Sequence, residues 1–235
     1  SVLREDVADY FDLDEDSPYM LLVADVVKAL ADVKLAILQI RYATGLPLVY
    51  AGKTRKVPTG KVGDRYPAGT ELVIAWARPA ATNMLGAGST AAGRGGPVYT
   101  SGYVDGDGTP TYRIKQGGVV LNANLNSHIR SGFGTGQTRG ELLMHEIGHA
   151  VGLGHTSARG QIMYPVLQER IARFEAGDLA GLDRLGAQQG CLVPASGQRR
   201  PVLGTGRFLN TTRQPAPLQS LSTWVRRLSS ATTSR

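Results

Sequence analysis

Cysteine is nearly absent from this chain of 235 residues, which contains one, Cys191. A single thiol cannot form an intramolecular disulfide, so no disulfide bond holds this fold together. Long apolar runs are also lacking, because no stretch of about 18 apolar residues occurs, and this excludes a transmembrane helix. No DNA- or RNA-binding signature is present, so we expect no nucleic-acid partner.

Acidic residues are lacking beyond Gly190, where the chain carries seven Arg and no Asp or Glu. This segment alone accounts for the formal charge of +7. Its Ser, Thr, Pro and Gly content predicts a flexible, solubilising tail over residues 191–235. An alternative is a basic amphipathic helix that makes weak contact with a cell wall or membrane surface. Its residues would be Leu218, Leu221, Trp224, Val225, Arg226, Arg227 and Leu228.

Hydrophobic residues make up 42% of the sequence, which is enough to form the core of one domain. We predict an irregular acidic lead-in over 1–18 and one domain over 19–190. That domain has an upper part to about residue 151 and a lower part over 152–190. The periodicity of apolar residues predicts an α+β arrangement. Strands are expected at 19–24, 46–51, 71–77, 83–90, 97–104 and 118–124, and helices at 25–42, from Thr138 onward, and at 176–185.

Three histidines and one glutamate form the decisive pattern. His145 and His149 are four residues apart, so in a helix both imidazoles lie on one face, one turn apart. Glu146 leaves that helix about 100° round from His145 and would flank a shared ion. His155 would lie on the wrong side of a continuous helix. We therefore predict that the chain turns back at Gly152, because glycine readily adopts the left-handed conformation.

Three neutral imidazoles and one open position are typical of a catalytic zinc site. We predict that His145, His149 and His155 bind one Zn²⁺. Glu146 is predicted to act as the general base that takes a proton from a zinc-activated water. The expected reaction is hydrolysis of a peptide bond without a covalent intermediate.

This motif resembles that of the metzincin metallopeptidases. Gln161–Pro165 is similar to their Met-turn, in the Met-Tyr-Pro form typical of matrixins. The resemblance covers roughly residues 20–190, and the chain looks like the matrixin-related secreted peptidases of actinobacteria. Further matching segments are 44–50, 71–77, 119–122 and 177–182.

The resemblance implies a zincin-like α+β fold with a twisted, mixed, five-stranded sheet. One edge strand would be antiparallel, a helix would back the sheet, and a small C-terminal subdomain with one helix would follow the zinc helix. Met163 would form an apolar floor under the zinc without binding it. A protein or peptide substrate would pair with the edge strand, expected at 84–89, through the main chain of Leu85, Gly86 and Ala87.

The same resemblance places a specificity pocket after the Met-turn. The segment from Val166 to Phe174 would wall the pocket for the side chain that follows the cleaved bond. Pro165 leads into this wall. Tyr164 could hydrogen-bond near the site, although packing against Pro165 is the simpler interpretation.

Other features depart from the family pattern. Animal matrixins carry a second, structural zinc held by upstream His and Asp, but only His128 lies upstream of the motif here. We therefore predict no second zinc site. Their latency cysteine is also absent, since no Cys precedes His145. A Ca²⁺ site at Asp105 and Asp107 is an alternative to a polar hairpin turn, which we favour because two carboxylates are too few.

Two hypotheses for function follow. The first is a monomeric, exported zinc endopeptidase, either secreted or associated with the cell wall. The second is an inactive zinc-binding surface protein that works by adhesion. Glu146 separates them, because only the first has a use for a free carboxylate beside the metal.

Overall fold

The computed structural model describes residues 18–61, 63–104 and 110–185. It is an α+β structure, as predicted. In chain order its elements are helix α1 (Pro18–Thr44), strands β1 (Leu72–Ala77), β2 (Gly93–Val104) and β3 (Pro110–Asn122), and helices α2 (Arg139–Val151) and α3 (Ala176–Leu185). Two 3₁₀ helices, Pro79–Ala81 and Ala123–His128, complete it. The basic tail, Cys191 and the Asp105–Asp107 loop lie outside the described residues.

The sheet is mixed and has the strand order β1-β3-β2. Strand β1 runs parallel to β3, whereas β2 pairs with β3 in the antiparallel sense and forms an edge. The antiparallel edge strand is thus confirmed. The prediction of five strands is wrong, because the sheet has three within the described part of the chain.

Three predicted strands have other conformations. Residues 19–24 belong to α1, which begins at Pro18, a residue well suited to a first helical turn. A short apolar run is compatible with either a strand or a helix. Here residues 19–24 form the first turns of the helix that continues to Thr44. Residues 46–51 are irregular, and Val49 is 72% exposed. Residues 83–90 form turns, with left-handed glycines at Gly86 and Gly88.

Helix α2 is the centre of the domain. Every residue from Arg139 to Ala150 is buried, because the helix packs against α1, β2 and β3 at once. Its apolar side chains share one core with Ile40 of α1 and with Val119 and Leu121 of β3. A helix enclosed on all sides offers a rigid support for any side chain that it carries.

A buried ion pair links the two longest helices. The Arg139 Nε atom at the start of α2 lies 2.7 Å from an Asp32 carboxylate oxygen of α1, and the same carboxylate accepts a hydrogen bond from the main-chain N–H of Gly132. Removing either partner would leave a buried charge without compensation, which typically costs about 3–5 kcal/mol.

None of the described helices has the length and apolar character of a membrane-spanning segment.

Glycines allow the sheet to approach α2 closely. A Cβ atom built on Gly95 of β2 would lie 2.6 Å from the carbonyl carbon and 2.9 Å from the Cα of Glu146. A Cβ on Gly117 of β3 would meet the carbonyl oxygen of Ala150 at 3.1 Å. The edge strand therefore lies directly against the backbone of α2, in the turn that follows His145.

Candidate metal centre

Both ends of α2 are set by local chemistry. Thr138 is the N-cap, and its hydroxyl accepts a hydrogen bond from the N–H of Glu141 at 3.3 Å. The Glu141 carboxylate accepts a hydrogen bond from the N–H of Gln168 at 2.9 Å. At the other end Gly152 adopts φ 115° and ψ 1°, the left-handed conformation. The predicted chain reversal at this glycine is confirmed.

The reversal brings the third histidine back to the first two. The Nε2 atoms of His145, His149 and His155 lie 3.1–3.2 Å from one another in all three pairs. A tetrahedral zinc ion with Zn–N distances near 2.0–2.1 Å requires ligand nitrogens about 3.3 Å apart. The three rings therefore converge at a spacing that fits one zinc ion.

The remaining ring nitrogens explain why these Nε2 atoms are available. The Nδ1 atom of His145 lies 2.7 Å from the carbonyl oxygen of Ile162, and Nδ1 of His149 lies 2.8 Å from that of Leu153. A carbonyl oxygen can only accept, so both Nδ1 atoms carry the proton. Both Nε2 lone pairs then face the centre of the cluster. Lone pairs this close repel one another unless a cation lies between them, which matches a metal site.

The environment keeps these imidazoles neutral, as metal binding requires. Burial lowers the pKa of His145 to about 3, and the neighbouring His149 adds to the effect. Burial also lowers the pKa of His149. For His155, burial and the neighbouring His149 lower the pKa to about 4. Each of these shifts favours the neutral imidazole, which is the form that binds a metal ion.

Glu146 lies between α2 and the edge strand and is 2% exposed. Its Cγ and Oε1 atoms lie 3.0 and 3.1 Å from the position of a Cβ on Gly93. Burial raises the pKa of Glu146 to about 8, and the hydrogen bond from the Gly95 N–H and the charge of Arg94 partly oppose this rise. The carboxyl group is thus held by strand β2, and it does not belong to the cluster formed by the three histidines.

Met163 lies against helix α2 and is 2% exposed. Its sulfur atom lies 2.7 Å from the position that a Cβ on Gly148 would take, so it fills the space beside that glycine of α2. Asp178 of α3 fixes this turn, because its carboxylate accepts hydrogen bonds from the main-chain N–H groups of Ile162 and Met163 at 2.8 and 3.1 Å.

The predicted substrate-binding residues fall into two groups. Tyr164, Pro165 and Val166 follow Met163 directly and are half-buried, and the Arg159 guanidinium lies 5.6 Å from the centre of the Tyr164 ring. Leu85, Gly86 and Ala87 lie in turns and not in a strand, so the expected pairing geometry is absent there. The antiparallel edge strand of the sheet is β2 instead.

Asn122 and His128 are two polar residues outside the histidine cluster. The Asn122 side-chain amide donates to the carbonyl oxygens of Ser89 and Ala91 at 3.4 and 3.0 Å, and its oxygen accepts from the N–H of Asn124. Asn122 thus holds the loop before β2 against the end of β3. His128 is exposed at the end of a 3₁₀ helix.

Several supporting residues were not found from the sequence. Asp178 could have been suspected as an acid in the first turn of a predicted helix, but its partners lie 15 and 16 residues away. The contact between Glu141 and Gln168 spans 27 residues. Nothing in the local pattern around Gly95 reveals that the strand must approach Glu146.

Comparison with known proteins agrees with this geometry. Residues 108–188 match the family model of matrixin, and this segment contains the three histidines, Glu146 and Met163. No curated protein matches the chain. Within the described residues, the side chains that could together hold a metal ion are His145, His149 and His155, with ligand atoms all within 4.8 Å of one another. The match and this convergence support a matrixin-like metzincin and a zinc metallopeptidase.

Proposed function

We propose that this protein is a zinc-dependent endopeptidase in which Glu146 is the general base. The observation that carries the proposal is the convergence of three Nε2 atoms at 3.1–3.2 Å, one residue away from a buried carboxylate. His145, His149 and His155 would hold the zinc. When bound, the ion supplies Lewis-acid polarisation of the peptide carbonyl and lowers the pKa of water.

Glu146 takes the proton from the attacking water and delivers it to the leaving amine. A carboxylate must be ionised for the first of these steps. Burial opposes ionisation, whereas a bound cation, the Gly95 N–H and the charge of Arg94 all favour it. The strand contact holds the carboxyl group in one place, so little reorganisation is needed during proton transfer.

The substrate pairs with the edge strand β2. Strand β2 is bonded to β3 on one side only, and its segment Gly93–Gly95 lies beside Glu146. An extended peptide that adds to this edge would place its main chain alongside the general base, and main-chain hydrogen bonds would bind it. The predicted main-chain role of Leu85, Gly86 and Ala87 thus passes to β2 in this proposal.

The adhesion hypothesis explains less of the site. An inactive zinc-binding surface protein needs the three ligands but has no use for a buried carboxylate whose cost in desolvation is several kcal/mol. Secretion, the monomeric state and a role of the basic tail in surface contact remain predictions from the sequence.

The decisive experiment compares the wild type with Glu146→Gln on quenched-fluorescence peptides and casein. The amide keeps the size of the side chain but cannot accept the proton of water, so we expect at least a hundredfold loss of kcat, with a zinc content equal to that of the wild type. A chelator should abolish wild-type cleavage, and added Zn²⁺ should restore it. Equal cleavage by both proteins would remove Glu146 from the mechanism. Zinc binding without cleavage of any peptide would favour adhesion.

A further inference from the structure

Helix α1 carries a row of apolar side chains on the side that faces away from the core. Its inner face is buried, with Ala36 and Ile40 both 0% exposed. At about 100° per residue, a second set of apolar residues falls within about 80° of one another on the opposite side. We call this set the outer stripe, and its members are Val27, Ala31, Leu35, Leu38 and Tyr42. Leu35 and Leu38 are each 40% exposed, and Tyr42 is 79% exposed.

Exposed cations border the outer stripe on both sides. Lys34 and Arg41 lie along one border and Lys28 along the other. Lys34 lies over the Tyr50 ring, 5.0 Å from its centre, and none of the three forms an ion pair with another described residue. Asp32 is the only acidic residue among residues 27–44, and its carboxylate is buried in the ion pair with α2.

Scattered exposed apolar residues are normal on a protein surface, whereas a contiguous apolar row with a polar rim marks an interaction surface. The rim of the outer stripe is positive throughout. The partner that fits it therefore has apolar side chains with carboxylates beside them.

The chain itself contains a segment of this chemistry, residues 1–17, which directly precede α1 and lie outside the described residues. This segment has seven acidic residues and one basic residue, so its formal side-chain charge is −6. Its larger apolar residues are interleaved with the acids and are Val2, Leu3, Val7, Tyr10, Phe11 and Leu13. Residues 191–235 carry seven Arg and no acid, so the same rim would repel them.

The segment is long enough to run back along the helix. Helix α1 begins at Pro18, and at about 1.5 Å per residue Tyr42 lies about 36 Å further along it. Seventeen extended residues span up to about 56 Å, which exceeds this distance. Because the segment is attached to the start of α1, its effective concentration at the stripe is high, and weak contacts are enough to hold it there.

We propose that residues 1–17 dock on the outer stripe of α1, with their apolar side chains on the stripe and their carboxylates beside Lys28, Lys34 and Arg41. The acidic start of the chain then covers the apolar row and neutralises its rim. This interaction surface lies on the side of α1 that faces away from α2 and its histidines. The inference does not depend on the proposed peptidase function.

The test is carbodiimide cross-linking of the full chain, which joins a carboxylate directly to a lysine amine, followed by mass spectrometry. Every sample carries Glu146→Gln to prevent self-cleavage, and intact mass confirms that residues 1–17 are present. Lys53 and Lys115 are exposed outside α1 and give the background level. Leu38→Asp places a negative charge in the stripe. Leu179→Asp is the matched control, because Leu179 is 44% exposed and lies on α3.

We expect cross-links from the acids of residues 5–16 to Lys34 to exceed those to Lys53 and Lys115 by about fivefold. They should fall to background in Leu38→Asp and stay unchanged in Leu179→Asp. A change from about 0.1 M to about 1 M NaCl should also weaken them without any substitution, because the Debye length shrinks from about 10 to about 3 Å. Cross-links to Lys34 at background level, or equal in both Leu variants, would overturn the docking.

Other occupants of the stripe give different results. An anionic membrane would bind the protein to vesicles of phosphatidylcholine and phosphatidylserine, and a second copy would give cross-links between isotopically heavy and light chains. We expect neither to depend on Leu38. Vesicle binding or an interchain cross-link that Leu38→Asp abolishes, in the absence of the intrachain link to Lys34, would replace the proposed occupant.

Discussion

Substitution of Gly95 by alanine tests the close approach of the edge strand to α2. The added Cβ would lie 2.6 Å from the carbonyl carbon and 2.9 Å from the Cα of Glu146, and closer still to its carbonyl oxygen. Real Cβ contacts are essentially never below 3.0 Å. The obstacle is the backbone of a helix buried on every side, so it cannot move aside as a side chain could. We expect β2 to be displaced from α2 at a cost of about 3 kcal/mol, the upper part of the range for overpacking.

Gly96→Ala is the matched control. Gly96 is the next residue on β2, and a Cβ there would have no atom within 4 Å. Alanine at such a position restricts the unfolded chain and typically stabilises by about 0.4–1 kcal/mol. The two variants therefore differ by one position on the strand but should differ in stability by about 3–4 kcal/mol.

Urea unfolding followed by circular dichroism measures this difference, and peptide cleavage measures its effect on Glu146. Because the Gly95 N–H bonds to the Glu146 carboxylate, displacement of the strand should also lower kcat. If Gly95→Ala and Gly96→Ala unfold at the same urea concentration, within about 0.5 kcal/mol of each other in free energy, β2 does not lie in close contact with the backbone of α2.

Three further predictions concern the supports of the site. Asp178→Ala leaves two buried N–H groups of the Met-turn without acceptors and should cost about 2–4 kcal/mol in thermal or urea unfolding; stability equal to that of the wild type would contradict its role. Burial raises the pKa of Glu141 to about 7 from an ordinary 4.5. Between these two pH values the folded state keeps a proton on this carboxyl group, whereas the unfolded state has lost it. Wild-type stability should therefore fall by about 3 kcal/mol relative to Glu141→Gln as pH rises from 4.5 to 7, and parallel pH profiles would refute this. Removal of zinc should lower Tm in the wild type but not in His155→Ala, because an ion at a thousand times its Kd stabilises by about 4 kcal/mol.

The parts of the molecule that could be predicted from sequence depend on local chemistry. Thr138 and Gly152 cap α2 through bonds within a few residues, and helical geometry alone brings His145 and His149 together. Because the chain reverses at Gly152, His155 returns to the two histidines of the helix. The histidine cluster was therefore predictable in its three members, in the helix that carries two of them, and in the position of the turn.

The parts that could not be predicted depend on partners far along the chain. The segments 46–51 and 83–90 have apolar residues suited to strands, but a strand exists only where another strand pairs with it. Asp32 and Arg139 are separated by 107 residues, and the sequence around each of them contains no pattern that predicts the ion pair. The edge strand was misplaced for the same reason, since β2 is defined by its register with β3 and not by its own composition.

The hydrogen bonds to Ile162 and Leu153 have a consequence for how the protein acquires its metal. The rings of His145 and His149 are oriented by hydrogen bonds to main-chain carbonyls of the fold, so their orientation does not depend on a bound ion. Loading should then be a simple capture step without refolding. The empty protein, although less resistant to heat, should keep its shape and refill quickly after dialysis against zinc.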